Sequence, residues 1–465
     1  MPTSAAEAAR PTLFALHGLG FGRQLFDPLM RELDGVVEVV ALDLPGFGDE
    51  RDSPENSLEQ TVAFVVRRIR AHGSTRWMIA GHSMGGKVAS LVASRTMSGR
   101  AGLFGLSGVV LLAASPLSPE PMDEEQRRTM LGWVDDGPLT EEQAHEYLEQ
   151  NLGGDLPDEL QRTAVAQLLR ASPTAWRDWL ETGSRIDSTA EAAVASLPAL
   201  VVAGGADGDL GTDGQERTNR PLYPRSRMLT LDGAGHVLPF ERPAEIAAAI
   251  RAFWEEEAGT APVVPADAAS TIASARTSTR VRSILSERAL PDDPGYTPRA
   301  LTPEQLGTLR AIADRVVPQD GPRIDLAARV DAQLAEGIGD GWRNAELPAD
   351  PVAYALALDR LAGFETRTAD EQDAELTALA AGRAPADDGA PADGPAGRLS
   401  PEQLSAWFED CRVDLVRQWL AHPAIQARVG YDGYATGGDT ALIPGFRLLG
   451  AGEREPWEPS TRSHR

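Results

Sequence analysis

The sequence predicts an α/β fold, a mostly parallel sheet flanked by helices, followed by an all-helical region. Short apolar runs of strand type, such as residues 12–16 and 76–80, are each followed by a glycine-rich loop, with helix-type sequence between them. In the last third, TPEQ at residues 302–305 and SPEQ at residues 400–403 have the spacing of capping boxes, which begin helices. The alternation of strands and helices predicts a parallel sheet.

Ser83 is the candidate nucleophile. It lies in GHSMG at residues 81–85, which fits G-x-S-x-G, between a strand-type run and a helix rich in small residues. A sharp turn from strand to helix exposes a serine hydroxyl and places it at a helix N-terminus, which favours developing negative charge. The sequence therefore predicts a nucleophile elbow at Ser83.

A serine hydroxyl needs a base, and the base needs an orienting carboxylate. Residues 197–205 form a buried-strand run that precedes Asp207, and residues 227–231 form the next strand, which precedes His236. Because the carboxyl ends of parallel strands meet at one sheet edge, this acid and this histidine can converge on Ser83. Asp209 is the competing acid, and Asp207 is preferred because it lies closer to the strand end.

The oxyanion formed during acyl transfer needs preorganised donors. The first strand, residues 12–16, is followed by HGLG at residues 17–20, a loop whose glycines let the main chain approach a substrate. The predicted donors are the backbone N–H groups of Leu19 and Met84.

Four motifs in this order resemble the α/β-hydrolase fold family over about residues 10–256. They are HGLG at 17–20, DLPGFG at 43–48, GHSMGG at 81–86 and GH at 235–236. The resemblance implies the fold and Ser-His-Asp hydrolysis, but it leaves the substrate open, because the fold hosts esterases, lactonases, thioesterases and other enzymes.

The segment of about residues 116–196 resembles the helical lid of that fold. Its apolar residues either line an acyl pocket or hold the lid on the sheet, and both interpretations stay open. These residues are Met122, Met130, Leu131, Trp133, Trp176 and Trp179.

Length and composition limit the remaining choices. A chain of 465 residues is expected to form two domains, and its net charge of −25 disfavours nucleic acids and anionic membranes as partners. The one cysteine, Cys411, excludes an intrachain disulfide. The N-terminus lacks the features of a signal peptide, and no run is long enough to span a bilayer, so the expected location is cytoplasmic. No cofactor is predicted, and the histidines have no metal-binding spacing.

The predicted domains are a hydrolase domain at residues 1–257, a flexible linker at 258–297 and an all-helical domain at 298–465. Residues 258–280 are dominated by Ala, Thr, Ser, Pro and Val without periodicity, which is typical of a linker. After it, Leu306, Leu309, Ile312 and Val316 form one apolar helical stripe.

Residues 298–440 resemble the small subunit (subunit 3) family of gluconate 2-dehydrogenase. The matching features are LTPEQL at 301–306 leading to VVP at 316–318, and HP at 422–423 leading to VGYDG at 429–433. Members accompany a flavin-dependent sugar or alcohol dehydrogenase. The resemblance therefore implies a flavoprotein partner for this region.

Two functional hypotheses follow. The first is a serine hydrolase of a carboxylic ester or lactone, with Ser83, His236 and Asp207 as its triad and the helical domain as a partner-docking module. The second is an accessory or assembly protein for a flavin-dependent dehydrogenase, with the hydrolase domain kept as a scaffold. The complete set of site residues in chain order favours the first.

Overall fold

The computed structural model of the protein describes residues 10–338, 344–383, 398–435 and 437–439. Their contacts divide into two compact units. The first contains residues up to 259, residues 263–291 and the described residues from 432 onward, and the second contains residues 260–262 and 292–431.

One parallel sheet organises the first unit. Its six strands, within the described residues, have the order β2-β1-β3-β4-β5-β6, and every neighbouring pair is parallel. The strands are β1 Thr12–Leu16, β2 Glu38–Leu42, β3 Trp77–His82, β4 Leu106–Leu112, β5 Ala199–Gly204 and β6 Ser226–Leu231. The central strands β1, β3 and β5 are buried along their whole length, because helices cover the sheet, and this explains their continuous apolar runs.

Helices follow the strands through the first unit, as an α/β fold requires. Their bounds are α1 Asp27–Leu33, α2 Leu58–His72, α3 Met84–Met97, α4 Glu124–Gly132, α5 Glu141–Asn151, α6 Asp158–Leu168, α7 Pro173–Glu181, α8 Thr212–Thr218, α9 Leu238–Glu241, α10 Pro243–Phe253, α11 Ala266–Ala273 and α12 Thr279–Arg288. Helices α4 to α7 lie in the insertion between β4 and β5, where the helical lid is predicted. The predicted fold class is confirmed.

Glycine is required where β3 turns into α3. A Cβ atom on Gly81 would lie 2.3 Å from the carbonyl oxygen of Gly85, and a Cβ atom on Gly85 would lie 2.3 Å from that of Leu16. Such contacts are far below van der Waals distance, so only glycine lets α3 pack this closely on β1 and β3. This packing fixes the start of α3 at the carboxyl edge of the sheet.

The prediction of a flexible linker over residues 258–297 is wrong for most of its length. Helices α11 and α12 occupy this segment, and Ala268, Ala269, Ile272 and Leu285 are buried. The guanidinium of Arg282 donates to the carbonyl oxygen of Gly99, which follows α3. Small residues hide the apolar face of such a helix from a periodicity search, because alanine counts little as a hydrophobic signal.

The second unit is helical. Its helices are α13 Pro303–Val316, α14 Leu326–Glu336, α15 Asp350–Arg360, α16 Ala369–Ala380, α17 Pro401–Ala421 and α18 Pro423–Arg428. Both predicted capping boxes, at Thr302 and Ser400, are formed. Leu309, Ile312 and Leu415 are fully buried in its core.

The predicted helical domain, residues 298–465, differs from this unit at both ends. The unit begins near Asp292 rather than at residue 298. Described residues after 431 belong with the first unit: the hydroxyl of Thr277 donates to the carbonyl oxygen of Tyr434, and Asp439 accepts from the N–H of Thr279 at 2.9 Å. Residues 440–465 of the predicted domain lie outside the described residues.

Among the described residues, no helix combines the length and the apolar character that a membrane span needs.

Candidate active site

Ser83 connects β3 to α3 in a strained conformation. Its φ of 51° and ψ of −122° are unusual for a residue with a side chain, and its neighbours hold this turn in place. The N–H of Ser83 donates to the carbonyl oxygen of Leu112 at 3.1 Å, and its own carbonyl oxygen accepts from the N–H groups of Gly86 at 2.7 Å and Ser115 at 2.9 Å. This is the geometry expected of a nucleophile elbow.

The structure brings Asp207 and His236 together. Nδ1 of His236 lies 2.8 Å from Oδ2 of Asp207, and both side chains are about nine-tenths buried. Asp207 follows β5 and His236 follows β6, so both lie at the sheet edge where β3 delivers Ser83. Asp209, the competing acid, is exposed and makes no hydrogen bond to His236 in the described structure. Partial desolvation, followed by the negative charge of Asp207, raises the pKa of Asp209.

Opposing effects set the pKa of His236. Burial lowers it, but the adjacent Asp207 carboxylate, with smaller contributions from Glu120 and Glu241, outweighs burial and holds the pKa above that of an ordinary histidine. Such a base accepts a proton readily and is then stabilised as the imidazolium by its carboxylate partners.

His82 ties the serine turn to the histidine loop. Its ring is fully buried, its Nε2 lies 2.8 Å from the carbonyl oxygen of His236, and the two rings have centroids 5.1 Å apart. Burial and the neighbouring His236 lower the pKa of His82 to about 3, so its ring is neutral and Nε2–H donates to that carbonyl. The residue before Ser83 therefore contacts His236 directly.

The loop after β1 lies against the elbow. A Cβ atom on Gly18 would lie 2.9 Å from Cβ of Ser83 and 2.8 Å from Nδ1 of His82, so a larger residue cannot stand there. Leu19 and Met84 are both buried, and neither backbone N–H donates to another described group. Residues as buried as these seldom leave a backbone N–H without a partner, and these two residues flank the serine turn.

The lid contacts this site at two further points that the sequence did not reveal. The hydroxyl of Tyr147, in α5, donates to the carbonyl oxygen of Leu19 at 3.3 Å. Oε2 of Glu241, in α9, accepts from the N–H groups of Gly153 and Gly235, each at 2.9 Å, while the N–H of His236 donates to the carbonyl oxygen of Asn151 at 2.7 Å. The lid segment after α5 is thereby bonded to the histidine loop.

The sequence also did not indicate that Glu120 and Lys87 lie near this site. Glu120 lies at the start of the lid, and its Oε2 accepts from the hydroxyl of Ser115 at 2.5 Å. Burial raises the pKa of Glu120, partly offset by Ser115, His236, Arg127 and Lys87. Its only sequence signal is a position soon after β4, within an insertion that has no motif.

Most of the apolar lid residues hold the lid together. Trp176 is fully buried, and its Nε1–H donates to the carbonyl oxygen of Met130. The rings of Trp133 and Tyr147 pack against it, with centroids 6.4 and 5.4 Å away. A cavity of about 20 Å³ lies beside Met84 and has room for roughly one water molecule. Of the six apolar lid residues predicted to line an acyl pocket, Trp179 is the one that lines this cavity.

In the part of the chain that the structure describes, no three His, Cys, Asp or Glu side chains are grouped to hold a metal ion.

Comparison with known proteins agrees with this fold. The model of the alpha/beta hydrolase family matches residues 13–249, about half of the chain. The chain belongs to the α/β hydrolase family.

Curated relatives match the same half of the chain. A pimeloyl-(acyl-carrier protein) methyl ester esterase of Neisseria meningitidis is 28% identical over 242 residues, which cover 51% of this chain and 74% of that protein. The biotin biosynthesis bifunctional protein BioHC of Cellvibrio japonicus is 24% identical over 251 residues, which cover 53% of this chain and 48% of that relative's length.

Two esterases are among the solved structures that resemble part of this chain. One from Exiguobacterium antarcticum has a TM-score of 0.48 and 15% identity, covering 53% of this chain and 92% of its own. Another from Thermogutta terrifontis has a TM-score of 0.45 and 23% identity, covering 53% and 90%.

Proposed function

We propose that this protein is a serine hydrolase that cleaves a carboxylic ester, either an open-chain ester or a lactone. The observation that carries the proposal is the 2.8 Å hydrogen bond between Asp207 and His236 at the sheet edge where the strained Ser83 turn lies. Membership of a family with esterase relatives supports ester hydrolysis over other reactions of the fold.

In the proposed mechanism, His236 removes the proton of the Ser83 hydroxyl as Oγ attacks the ester carbonyl carbon. The oxyanion accepts hydrogen bonds from the N–H groups of Leu19 and Met84. His236 then returns the proton to the departing alkoxide, which leaves as the alcohol from an open-chain ester and stays on the acyl group as a hydroxyl from a lactone. Asp207 holds the imidazole ring and stabilises its cationic form without taking the proton.

A water molecule completes the cycle. His236, neutral again, removes a proton from the water as its oxygen attacks the acyl-serine carbonyl. The second oxyanion collapses, Ser83 leaves with the proton from His236, and the carboxylic acid is released.

The test is hydrolysis of p-nitrophenyl esters from acetate to decanoate and of aldonolactones, by the wild type and by Ser83→Ala. We expect Ser83→Ala to lose at least about a thousandfold in kcat, while a fluorophosphonate probe labels Ser83 in the wild type. Ser98→Ala, at the far end of α3, is the matched control and should keep full activity. Ester hydrolysis by Ser83→Ala at the wild-type rate would refute the mechanism.

The substrate's acyl part is proposed to be small or to require movement of the lid. The cavity beside Met84 is lined by Leu44, Phe47 and Trp179 and is too narrow for a long chain as it stands. An optimum at acetate or propionate in the p-nitrophenyl series would indicate that the enzyme acts with the lid in the position seen in this structure. An optimum at octanoate or decanoate would indicate that the lid opens.

The function of the helical unit rests on its motif resemblance to the subunit 3 family. The match to the α/β hydrolase family ends at residue 249 and does not include this unit. Docking of a flavin-dependent dehydrogenase and an accessory role for the chain therefore stay predictions from sequence. The cytoplasmic location also stays a prediction. A pull-down with the full chain that recovers no flavoprotein oxidoreductase would argue against the docking role.

A further inference from the structure

Lysine occurs once in this chain. Of the 44 Lys and Arg residues, Lys87 is the one lysine, and the rest are arginines. It lies in α3, one helical turn after Ser83, and it is fully buried. A lysine ammonium is a compact donor on a long stem, whereas a guanidinium is a wide planar fork, so the two are not interchangeable at a confined site.

The ammonium of Lys87 contacts both ends of the lid. Nζ donates to the carbonyl oxygen of Ser118 at 3.2 Å and to that of Ile186 at 2.5 Å. Ser118 precedes the first lid helix and Ile186 follows the last one, so one side chain holds the two places where the chain enters and leaves the lid.

These two segments also bond to each other. We call residues 115–120 and 184–188 the lid neck. The N–H of Glu120 donates to the carbonyl oxygen of Ser184, and the N–H of Ser188 donates to that of Leu117, each at 2.8 Å. The neck reaches the nucleophile through the N–H of Ser115, which donates to the carbonyl oxygen of Ser83 at 2.9 Å.

The electrostatic environment of Lys87 also involves both segments of the lid neck. No described carboxylate lies within ion-pair distance of Nζ, and burial lowers the pKa of Lys87 to about 8, an effect that Glu120 and Asp187 oppose. These two carboxylates stand on the two segments of the neck, beside the carbonyl groups that Lys87 holds. Glu120 and Asp187 therefore favour the charged ammonium and offset part of the effect of burial.

We propose that Lys87 is a positioning residue: its ammonium group fastens both segments of the lid neck to the helix that begins at Ser83. The neck then fixes where the cavity beside Met84, which Gly183 also helps to line, lies relative to the serine hydroxyl. The kinetic part of this inference rests on the proposed function, whereas the part that concerns the neck does not.

The single lysine allows a direct test on the unmodified protein. The wild type is treated with N-hydroxysuccinimidyl acetate at mildly alkaline pH, and the fraction of acetylated Lys87 is followed by peptide mass spectrometry, native and in concentrated urea. A fastened neck keeps Lys87 at least about a hundredfold less reactive in the native protein than in urea. Equal rates in the two conditions would overturn the proposal.

The Lys87→Met variant tests the consequence. It fills the space of the stem but leaves the Ser118 and Ile186 carbonyl oxygens without their donor. We expect kcat/KM for the p-nitrophenyl ester to fall by about 10-fold to 100-fold through an increased KM, because a displacement of about 1 Å is enough for such a loss. We also expect faster hydrogen exchange at the Glu120 and Ser188 amides.

A matched control separates positioning from general destabilisation. Arg162→Met removes an exposed cation from α6, a lid helix outside the neck, so KM and neck exchange should stay at wild-type values. Rates are normalised to the Ser83 sites that react with a fluorophosphonate. If Lys87→Met lowers only the number of reactive sites and leaves KM and neck exchange unchanged, Lys87 is merely structural and the proposal is wrong.

Failure of the proposed function would look different. If the wild type neither hydrolyses esters nor reacts with the fluorophosphonate, the hydrolase assignment falls. Acetylation of Lys87 and hydrogen exchange at the neck amides still decide whether Lys87 fastens the neck.

Discussion

The carboxylate of Asp207 holds Nδ1 of His236 at 2.8 Å, although 28 residues separate them in the chain. Two neighbouring strands make this possible. Because β5 and β6 are parallel, their following loops leave the sheet at the same edge, side by side. An aspartate at this distance fixes both the orientation and the tautomer of the imidazole ring.

Asp207→Asn should therefore lower kcat by about a thousandfold to ten-thousandfold, because an asparagine no longer stabilises the imidazolium. Asp209→Asn makes the same chemical change two residues away at an exposed position, and it should change kcat by less than about twofold. Steady-state kinetics of both variants on one p-nitrophenyl ester decide between the two acids. A large loss in Asp209→Asn with an active Asp207→Asn would reverse the assignment.

The pH dependence of the reaction should report the raised pKa of His236. A general base must be neutral, so kcat/KM rises with pH as His236 loses its proton, and the raised pKa places that rise above the range of an ordinary histidine. Removing a nearby negative charge disfavours the imidazolium and lowers the pKa. Glu120→Gln should therefore move the rise to lower pH.

The matched control for Glu120→Gln is Glu149→Gln, which removes the same charge from an exposed position in α5. Its pH profile should coincide with that of the wild type. If Glu120→Gln leaves the profile unchanged or moves it to higher pH, Glu120 does not act on His236.

Glu241 should matter for catalysis through the histidine loop. Its Oε2 bonds the N–H of Gly235, next to His236, and the N–H of Gly153 in the lid. Glu241→Ala leaves the N–H of the buried Gly235 without its acceptor, and we expect kcat to fall by about tenfold, since an unsatisfied buried donor costs about 1–3 kcal/mol. Glu241→Gln keeps an acceptor oxygen and should recover most of the rate.

Glu245→Ala removes an exposed carboxylate from the following helix and serves as the charge-matched control. Hydrogen exchange gives a second measurement, because the Gly153 and Gly235 amides should exchange faster in Glu241→Ala only. Equal kcat in all three variants would mean that the loop holds its position without Glu241.

The sequence predicted those parts of the site that are local in the chain. Ser83, Asp207 and His236 each follow an apolar strand-type run, and a strand with its loop is a short-range pattern. Parallel pairing then brings those loops to one edge by a general rule of the fold. The fold class could be predicted for the same reason.

The missed residues depend on contacts across the lid. Lys87 bonds to Ile186, 99 residues later, and Tyr147 bonds to Leu19, 128 residues earlier. The residues of an insertion have no fixed spacing to the strands of the sheet. No local sequence pattern therefore indicates which of them will contact the loops around Ser83. The prediction of a flexible linker is wrong for another reason. Ala268 and Ala269 are buried by tertiary contacts, and amino-acid composition carries no information on such contacts.

The helical unit offers a stability test that is independent of activity. Asp331, in α14, is fully buried, and its carboxylate accepts from the N–H groups of Arg299, Ala300 and Leu301 and from the hydroxyl of Tyr296. These donors belong to the segment that leads into α13. One carboxylate thus satisfies the backbone of a loop that has no regular structure of its own.

Asp331→Ala should lower the free energy of unfolding of this unit by about 3 kcal/mol, because it leaves the buried N–H of Leu301 and three partly buried donors without their acceptor. Asp320→Ala removes an exposed carboxylate from the same unit and should change stability by less than about 0.5 kcal/mol. Urea unfolding of the full chain, followed by hydrogen exchange in residues 303–316, measures both. If the two variants unfold at the same urea concentration, the loop before α13 does not depend on Asp331, and the buried carboxylate contributes no net stability.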